Sequence, residues 1–392
     1  MDYFAESLQL HRKHHGKIAI RSKMPVRTKD DLATVYSPGV AAPCEAIARD
    51  PEAVWEYTIK SNTVAVVSDG SAVLGLGNIG PLAAIPVMEG KAMLFKKFAG
   101  IDAFPICLAT QDTDEIVQTI RNIAPVFGGI NLEDISAPRS FEIEERLQNL
   151  GIPVFHDDQH GTAIVVLAAL LNASKVLKKK INDLKVVING SGAAGVAIAK
   201  LLKGYGLENP AVHVREIILC DRKGILHAGR EDLNASKQAT LEFTNPKGLS
   251  GSVFDALNGA NVFIGVSSAN LLHAEDIRRM AKDSIVLALA NPIPEIMPEQ
   301  AYAGGAAIVG TGRSDLPNQV NNVLGFPGVF RGAMDARAPR ITIEMKLAAA
   351  LAIASCVPNP THDFIIPASL DKKVAKRVAK AVYQAAMTGL KK

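Results

Sequence analysis

Two acidic pairs are the first residues in this sequence that suggest chemistry. Glu133 and Asp134 are adjacent in GGINLEDISAP, and Asp157 and Asp158 are adjacent in VFHDDQHGTA. Carboxylates at strand ends, gathered by an α/β fold, suit Mg²⁺ or Mn²⁺, cations that prefer oxygen. Neighbours within a strand point to opposite faces, so Glu133 and Asp134 can share one cation only from a turn. Gly128-Gly129 before them and Pro138 after them fit a turn. Spacing alone leaves two other readings open. The acids can be solvated loop residues with an N-cap among them, or His156 and His160 can form an imidazole site for zinc or iron.

Glycine carries a second chemistry. Gly190-Ser191-Gly192-Ala193-Ala194-Gly195 follows the apolar run KVVIN and opens the helical run AGVAIAKLLKGYG. In a strand–turn–helix setting the first glycine permits the tight turn and the second lets the backbone approach a pyrophosphate. The third lets helix and strand pack closely, and the helix N-terminus offers unpaired N–H groups to the phosphates. Asp221 closes the next apolar run, EIILCD, where a carboxylate can accept from a ribose 2′-OH. That favours NAD over NADP, although Arg222 and Lys223 beside it are able to hold a 2′-phosphate. A cofactor-free glycine turn is the plain alternative. A second match, Gly75-Leu76-Gly77-Asn78-Ile79-Gly80, is followed by Pro81 and by Pro86. A structural or substrate-side turn is expected there, with no full crossover helix behind it.

Two residues are candidates for moving protons. Tyr36 lies in the turn-rich VYSPGVAAP, and Lys91 lies in VMEGKAMLF, at the mouth of an expected strand Ala92–Phe95. By type alone Tyr36 reads as a packing residue with a wet hydroxyl and Lys91 as a solvated amine. A lysine beside a divalent cation would have its pKa lowered and could act as a base.

The elements that must position these residues follow from pattern. The chain has 392 residues, 48% hydrophobic and 21% charged, a globular composition that excludes a disordered chain. Four widely spaced cysteines cannot form a disulfide scaffold, and free thiols are expected. With 43 basic and 39 acidic residues and no basic stripe, the charge does not point to nucleic acid. The longest apolar stretch, Ala163–Leu171, is half the roughly 20 residues that span a bilayer. The N-terminal residues lack the apolar core of a secretory signal, so a cytoplasmic protein without a membrane partner is expected.

Strand-like runs at 63–67, 103–108 and 153–155 alternate with helical patterns at 113–124 and 140–150. A long apolar helix is expected from Thr162 to about Lys180. Five further strands follow at 185–188, 216–220, 262–266, 285–288 and 307–309. The pattern predicts an α/β protein with a Rossmann-like doubly wound nucleotide domain, an N-terminal α/β catalytic domain and C-terminal helices. The boundaries are 1–160, 161–325 and 326–392. The last helix, 372–387, reads as a solvated surface helix with its Lys and Arg on one face.

Several long segments taken together resemble the malic enzymes, in particular the short prokaryotic form. They are MPVRTKDDLATVYSPGVA, VVSDGSAVLGLGNIGP, GKAMLFKKFAGIDAFPICL, GGINLEDISAPRSFEIEERL, PVFHDDQHGTAIV, the GSGAAG loop, LANPIPE and GTGRSDLPNQVNNVLGFPGVFRGA. The resemblance implies oxidative decarboxylation of L-malate to pyruvate and CO₂ with NAD or NADP and with Mg²⁺ or Mn²⁺. It implies Lys91 as the base for the 2-OH and Tyr36 as the acid for C3. Glu133, Asp134 and Asp158 would then be metal ligands. Asn291 and one of Asn321 and Asn322 would contact substrate or nicotinamide, and the 190–195 loop would hold the cofactor. It also implies a homodimer or a higher homo-oligomer. Ala72 stands where the animal form carries a malate-gripping Arg, so the carboxylate must be held otherwise, for example by backbone N–H groups of the GLGNIG turn. Two rivals remain: a malolactic activity that yields lactate without net redox, and a non-catalytic nucleotide-binding relative.

Overall fold

The computed structural model describes residues 3–73, 75–208 and 210–390. The first half runs α1 (Tyr3–His14), α2 (Lys29–Val35), α3 (Ala41–Arg49), α4 (Val54–Tyr57), β1 (Thr63–Ser68), α5 (Gly80–Ala99), β2 (Asp102–Cys107), α6 (Thr113–Ile123), β3 (Gly129–Leu132), α7 (Arg139–Leu147), β4 (Val154–His156) and α8 (Thr162–Val176). The second continues with β5 (Lys185–Asn189), α9 (Ala193–Lys203), β6 (Glu216–Asp221), β7 (Gly224–Ile225), α10 (Ala235–Thr240), α11 (Val253–Ala256), β8 (Val262–Gly265), α12 (Ala274–Ile277), β9 (Ser284–Ala288), α13 (Pro298–Ala303) and β10 (Ala306–Thr311). Helices α14 (Phe326–Asp335), α15 (Ile343–Ser355) and α16 (Lys372–Gly389) close it.

Two sheets result. The first has the order β2-β1-β3-β4 and is parallel throughout. Every residue of β1 is buried, as expected of a central parallel strand covered on both faces. The chain leaves β1 for β2 on one side and later returns to β3 on the other. That reversal opens a crevice above the carboxyl ends of β1 and β3. The second sheet has the order β10-β9-β8-β5-β6-β7, parallel except for the short β7. Its reversal lies between β5 and β8, so its crevice faces the loop after Asn189.

One core joins the two sheets. Helix α8 is apolar all round because it lies inside, with Ala163 to Leu170 all buried. Phe95 of α5 meets Phe326 and Phe330 of α14 edge-on at centroid distances of 4.8 and 5.3 Å, and Phe155 of β4 meets Phe330 at 5.8 Å. These pairs tie α14 to α5 and to the first sheet. Helix α16 buries Val374, Ala375, Val378, Val382 and Ala386 and leaves its cations outward, an amphipathic surface helix. The four cysteines are unpaired. Among the described residues no helix is long and apolar enough to cross a membrane.

The sequence reading errs in one place that matters. Ala92–Phe95 is not a strand, and Pro86 does not stop a crossover helix: α5 runs unbroken from Gly80 to Ala99 with Pro81 in its first turn. Its buried residues, Ala84, Met88, Ala92, Phe95 and Phe98, are spaced by three and four, a helical period that the local run AMLF conceals. Strand β3 and helix α14 were not foreseen. Helix α8 stops at Val176, short of Lys180, where Lys178 turns left-handed.

Candidate active site

The acidic pairs sit directly after β3 and β4, at the carboxyl ends of neighbouring strands. Asp134 has φ of +55°, so the chain turns immediately after Glu133 and the two adjacent acids are freed from strand alternation. The Asp134 N–H donates to Asp158 Oδ2 at 2.8 Å, which locks the two loops together. Glu133, Asp134 and Asp158 each place a carboxylate oxygen within 4.8 Å of the others. Glu133 and Asp134 are buried, whereas Asp158 is partly open. Burial, resisted by Lys91, together with the other acids pushes the Glu133 carboxyl well above its ordinary range. An all-oxygen set of three close carboxylates fits a hard divalent cation, which would relieve that repulsion. The imidazole reading does not survive: His160 Nε2 lies 2.9 Å from Glu144 Oε2, and the three-acid cluster contains neither histidine.

Lys91 is the surprise of the site. It lies on α5 rather than at a strand mouth, and its side chain is only 10% exposed. Its Nζ contacts Asp157 Oδ2 at 2.6 Å and Glu133 Oε1 at 2.8 Å, above the ring of Phe326 at 4.2 Å. Burial alone would lower its pKa, but Asp157 and Glu133 outweigh burial and hold the ammonium well above its ordinary value. Lys91 therefore shares Glu133 with the acidic cluster. A cation on Glu133 would weaken that hold and leave Asp157 as the main counter-charge.

Asp157 is the residue that the sequence reading left without a role. It is fully buried, and burial, against the pull of Lys91, raises its carboxyl. The chain between β4 and α8 makes one wide π-type turn over Asp157–Gly161, which swings the pair Asp157 and Asp158 to different neighbours. Gly161 is required there, since a Cβ would collide with Asp157 Oδ1. Asn322 Nδ2 donates to Asp157 Oδ2 at 3.1 Å, and Thr162 Oγ1 donates to Asn322 Oδ1 at 3.2 Å. Asn321 caps the following turn by accepting from the Val323 N–H at 2.9 Å. Of that pair, the structure brings only Asn322 to Lys91 and its partners. Asn131 Nδ2 steadies Glu133 Oε2 at 2.9 Å.

The loop after β1 frames the same crevice. Arg139 Nη2 meets Asp69 Oδ2 at 2.6 Å, and the Ala72 N–H donates to the Asp134 carbonyl at 3.0 Å. In the GLGNIG turn the N–H groups of Leu76, Ile79 and Gly80 are bound to the carbonyls of Val73 and Gly70. Three of the six N–H groups of that turn are therefore committed to the preceding loop. A Cβ at Gly75 would strike the carbonyl of Asn291, so this turn packs against the 291 loop from the second sheet. Asn291 is exposed at that junction.

In the second sheet Gly190 to Gly195 joins β5 to α9. A Cβ at Gly195 would collide with the Gly190 carbonyl, so helix and loop touch backbone to backbone. Gly192, in extended conformation before Ala193, has open space around the position of a Cβ, and no side chain caps the first N–H groups of α9. Such an arrangement is able to cradle a pyrophosphate. Asp221 ends β6 as foreseen, but it is not alone. Arg230 binds it through Nη1 at 2.8 Å and Nη2 at 3.0 Å, and Lys237 Nζ lies 2.5 Å from Oδ2. Against the effect of burial, these two cations hold the Asp221 carboxyl below its ordinary range. Sequence reasoning singled out Arg222 and Lys223. Arg222 is exposed and Lys223 pairs with Asp232 at 2.9 Å. Arg230 and Lys237 lie nine and sixteen residues beyond Asp221, outside any local motif.

A Rossmann-type sheet with a glycine loop, joined to a second α/β sheet that carries a cluster of three carboxylates, has the form of a dinucleotide-dependent enzyme. Comparison with known sequences narrows it. Residues 15–148 match the family described as "Malic enzyme, N-terminal domain", and residues 159–387 match "Malic enzyme, NAD binding domain". The chain belongs to the malic enzyme family.

Its relatives include the bifunctional malic/malolactic enzyme of Bacillus subtilis, 57% identical over 97% of this chain and 92% of that one. The NAD-dependent malic enzyme of Geobacillus stearothermophilus is 59% identical over 95% of this chain and 77% of that one. The NADP-dependent malic enzyme of Halomonas elongata is 46% identical over 99% and 92%. Among solved structures, the NAD-dependent malic enzyme of Thermotoga maritima superposes with a TM-score of 0.92 at 50% identity, covering 96% of this chain and 98% of that one.

Proposed function

We propose that this protein oxidatively decarboxylates L-malate to pyruvate and CO₂ with reduction of NAD(P), dependent on a divalent cation. The observation that carries the reading is Lys91 held between Asp157 and Glu133, with Glu133 also part of the three-acid cluster. Glu133, Asp134 and Asp158 would hold Mg²⁺ or Mn²⁺, which when bound supplies positive charge beside the C2 oxygen. The 190–195 loop would hold the pyrophosphate of the nucleotide, which when bound would supply the hydride acceptor for C2.

Lys91 first passes its own proton to the Asp157 carboxylate 2.6 Å away, whose affinity for a proton burial raises, and as a neutral amine it then accepts the C2 hydroxyl proton, while Asn322 fixes Asp157. With the C2 carbonyl formed, the C4 carboxylate leaves as CO₂. Tyr36 then returns a proton to C3. Steps of this general acid–base kind contribute about 10²–10⁴-fold each. Asn291 reaches substrate or nicotinamide from the second sheet. NAD is the favoured nucleotide, with Asp221 accepting from the ribose while Arg230 and Lys237 orient its carboxylate. The cation pair also explains how the site could tolerate NADP. The similarity to a bifunctional malic/malolactic enzyme favours lactate formation as a second reading.

One assay tests these readings together. Purified protein is given L-malate and Mn²⁺ with NAD or with NADP, and nicotinamide absorbance, pyruvate and lactate are followed. Reduction matched by pyruvate supports the proposal, and lactate without net reduction supports the malolactic reading. Neither product with either nucleotide and either metal overturns both.

A further inference from the structure

A cavity of about 560 Å³ lies where the two halves of the chain meet, between α7 and the π-type turn on one side and α9, α10 and α15 on the other. Its size falls in the range of about 300–1,000 Å³ that small-molecule pockets occupy. Its wall contains neither Lys91, nor the three-acid cluster, nor any residue of the 190–195 loop.

The wall is apolar over Phe141, Phe243 and Ile343. Its polar groups divide into those with partners and those without. Glu144 commits both oxygens: the His156 N–H donates to Oε1 at 3.2 Å, and Oε2 lies 2.9 Å from His160 Nε2. Two donors are left over. Lys346 of α15 is half-buried on the wall, and among the described residues its Nζ has no hydrogen-bond acceptor and no salt-bridge partner. Burial lowers its pKa, as expected of a cation without a counter-ion close by. Gln159 is 4% exposed, and its Nε2 has no acceptor. Lys200, exposed on the same wall, adds positive charge near Lys346, while Glu145, also exposed, is the opposing charge there.

A shielded ammonium and a buried amide N–H both cost free energy while unpaired. An anionic head group would satisfy both, and charge-assisted bonds to lysine are the strong kind. The apolar part of the wall suits a hydrocarbon body. Gln159 also connects the cavity to the chemistry, because it follows Asp158 directly in the π-type turn. Glu144 holds His156 and His160, on either side of Asp157, Asp158 and Gln159.

We propose that this cavity binds a small organic anion, with its carboxylate or phosphate head toward Lys346 and Gln159 and its apolar body against Phe141, Phe243 and Ile343, and that the occupant stiffens the turn that carries Asp157 and Asp158. A stiffened turn loses less freedom when a cation binds, so cation affinity rises with the cavity filled. That coupling rests on the reading of Glu133, Asp134 and Asp158 as the cation site, whereas the anion site does not.

Calorimetric titration of the nucleotide-bound protein tests the site. The probes are benzoate and phenyl phosphate, which differ in head group, and benzyl alcohol, which carries no charge. At least one anion is expected to bind, and benzyl alcohol at least about tenfold more weakly. Lys346→Met should weaken the anion by a similar factor and Lys346→Arg should restore it, with nucleotide affinity and basal turnover unchanged in both variants. Saturating anion should raise Mn²⁺ affinity at least about fivefold in the wild type, the lower end of ordinary coupling between sites, and leave Lys346→Met unaffected. Binding of neither anion, equal binding in Lys346→Met, or an anion displaced by L-malate would overturn the site. Anion binding with unchanged Mn²⁺ affinity would overturn the coupling, and failure of Mn²⁺ to bind at all would overturn the cation reading instead.

Discussion

The two sheets bring chemistry to their carboxyl ends by opposite means. The first uses side chains: three carboxylates, a buried lysine and the Asp157–Asn322 pair, all at fixed distances. The second uses backbone: a glycine loop with open space at the start of α9, proposed above to bind the nucleotide, with Asp221 and its cations beside it. A side-chain site tolerates no change of charge, while a backbone site tolerates no added volume. The substitutions that damage each should therefore differ in kind.

The largest effect should come from charge at the first sheet. Lys91→Met should lower turnover by about 10²–10⁴-fold while nucleotide binding, followed by nicotinamide fluorescence, stays unchanged. Loss of both would mean that Lys91 mainly supports the fold. Next is Asn131→Ala, which frees Glu133 Oε2 from its 2.9 Å partner. Removing such an orienting contact costs about 10–100-fold in metal affinity, measurable by Mn²⁺ titration. An unchanged affinity would place the cation away from Glu133.

At the second sheet the sensitive variable is volume. Gly195→Val forces a side chain into the Gly190 carbonyl, and nucleotide affinity should fall while Mn²⁺ affinity holds. A parallel fall in both would show that the two sites are not separable. Between the sheets, Phe330→Ala removes the ring that meets Phe95 and Phe155 and should cost about 3–5 kcal/mol of stability in denaturant unfolding.

The smallest effect is electrostatic. Burial pushes Lys346 down to about 8, against the attraction of Glu144. A lysine disfavoured as a cation in the folded state lowers stability fully below that pH, and the penalty is relieved as pH rises toward the ordinary value. Lys346→Met should therefore be more stable than wild type at pH 7, with the advantage shrinking from about pH 8 toward 10.5. A constant difference across that range would remove burial of charge as its cause.

Much of this contrast was legible in the sequence, because strands and loops announce themselves locally. TVAVV and KVVIN are uniform apolar runs ended by polar or glycine residues, and both are strands. The glycine loop is a contiguous motif and needs no distant partner to be seen. The first site is different. Lys91, Asp157 and Asn322 are far apart in sequence and meet only through α5, the π-type turn and the segment before α14. Lys91 was a lone amine in a misassigned strand, because AMLF suits a strand until the five buried positions of α5 are counted together. Asp157 was seen beside Asp158, yet nothing local says that a wide turn sends the two to different partners. Asn321 and Asn322 could not be ranked, since only the fold shows that one caps a turn and the other reaches Asp157.

The most direct test of the account is stoichiometric. With L-malate, Mn²⁺ and the preferred nucleotide, nicotinamide reduction and pyruvate are counted together for the wild-type protein, for the same protein with a chelator, and for Lys91→Met. The account predicts equal amounts of reduced nucleotide and pyruvate from the wild type, and neither from the other two. Reduction without pyruvate, or full turnover in the presence of the chelator or with methionine at position 91, would contradict it.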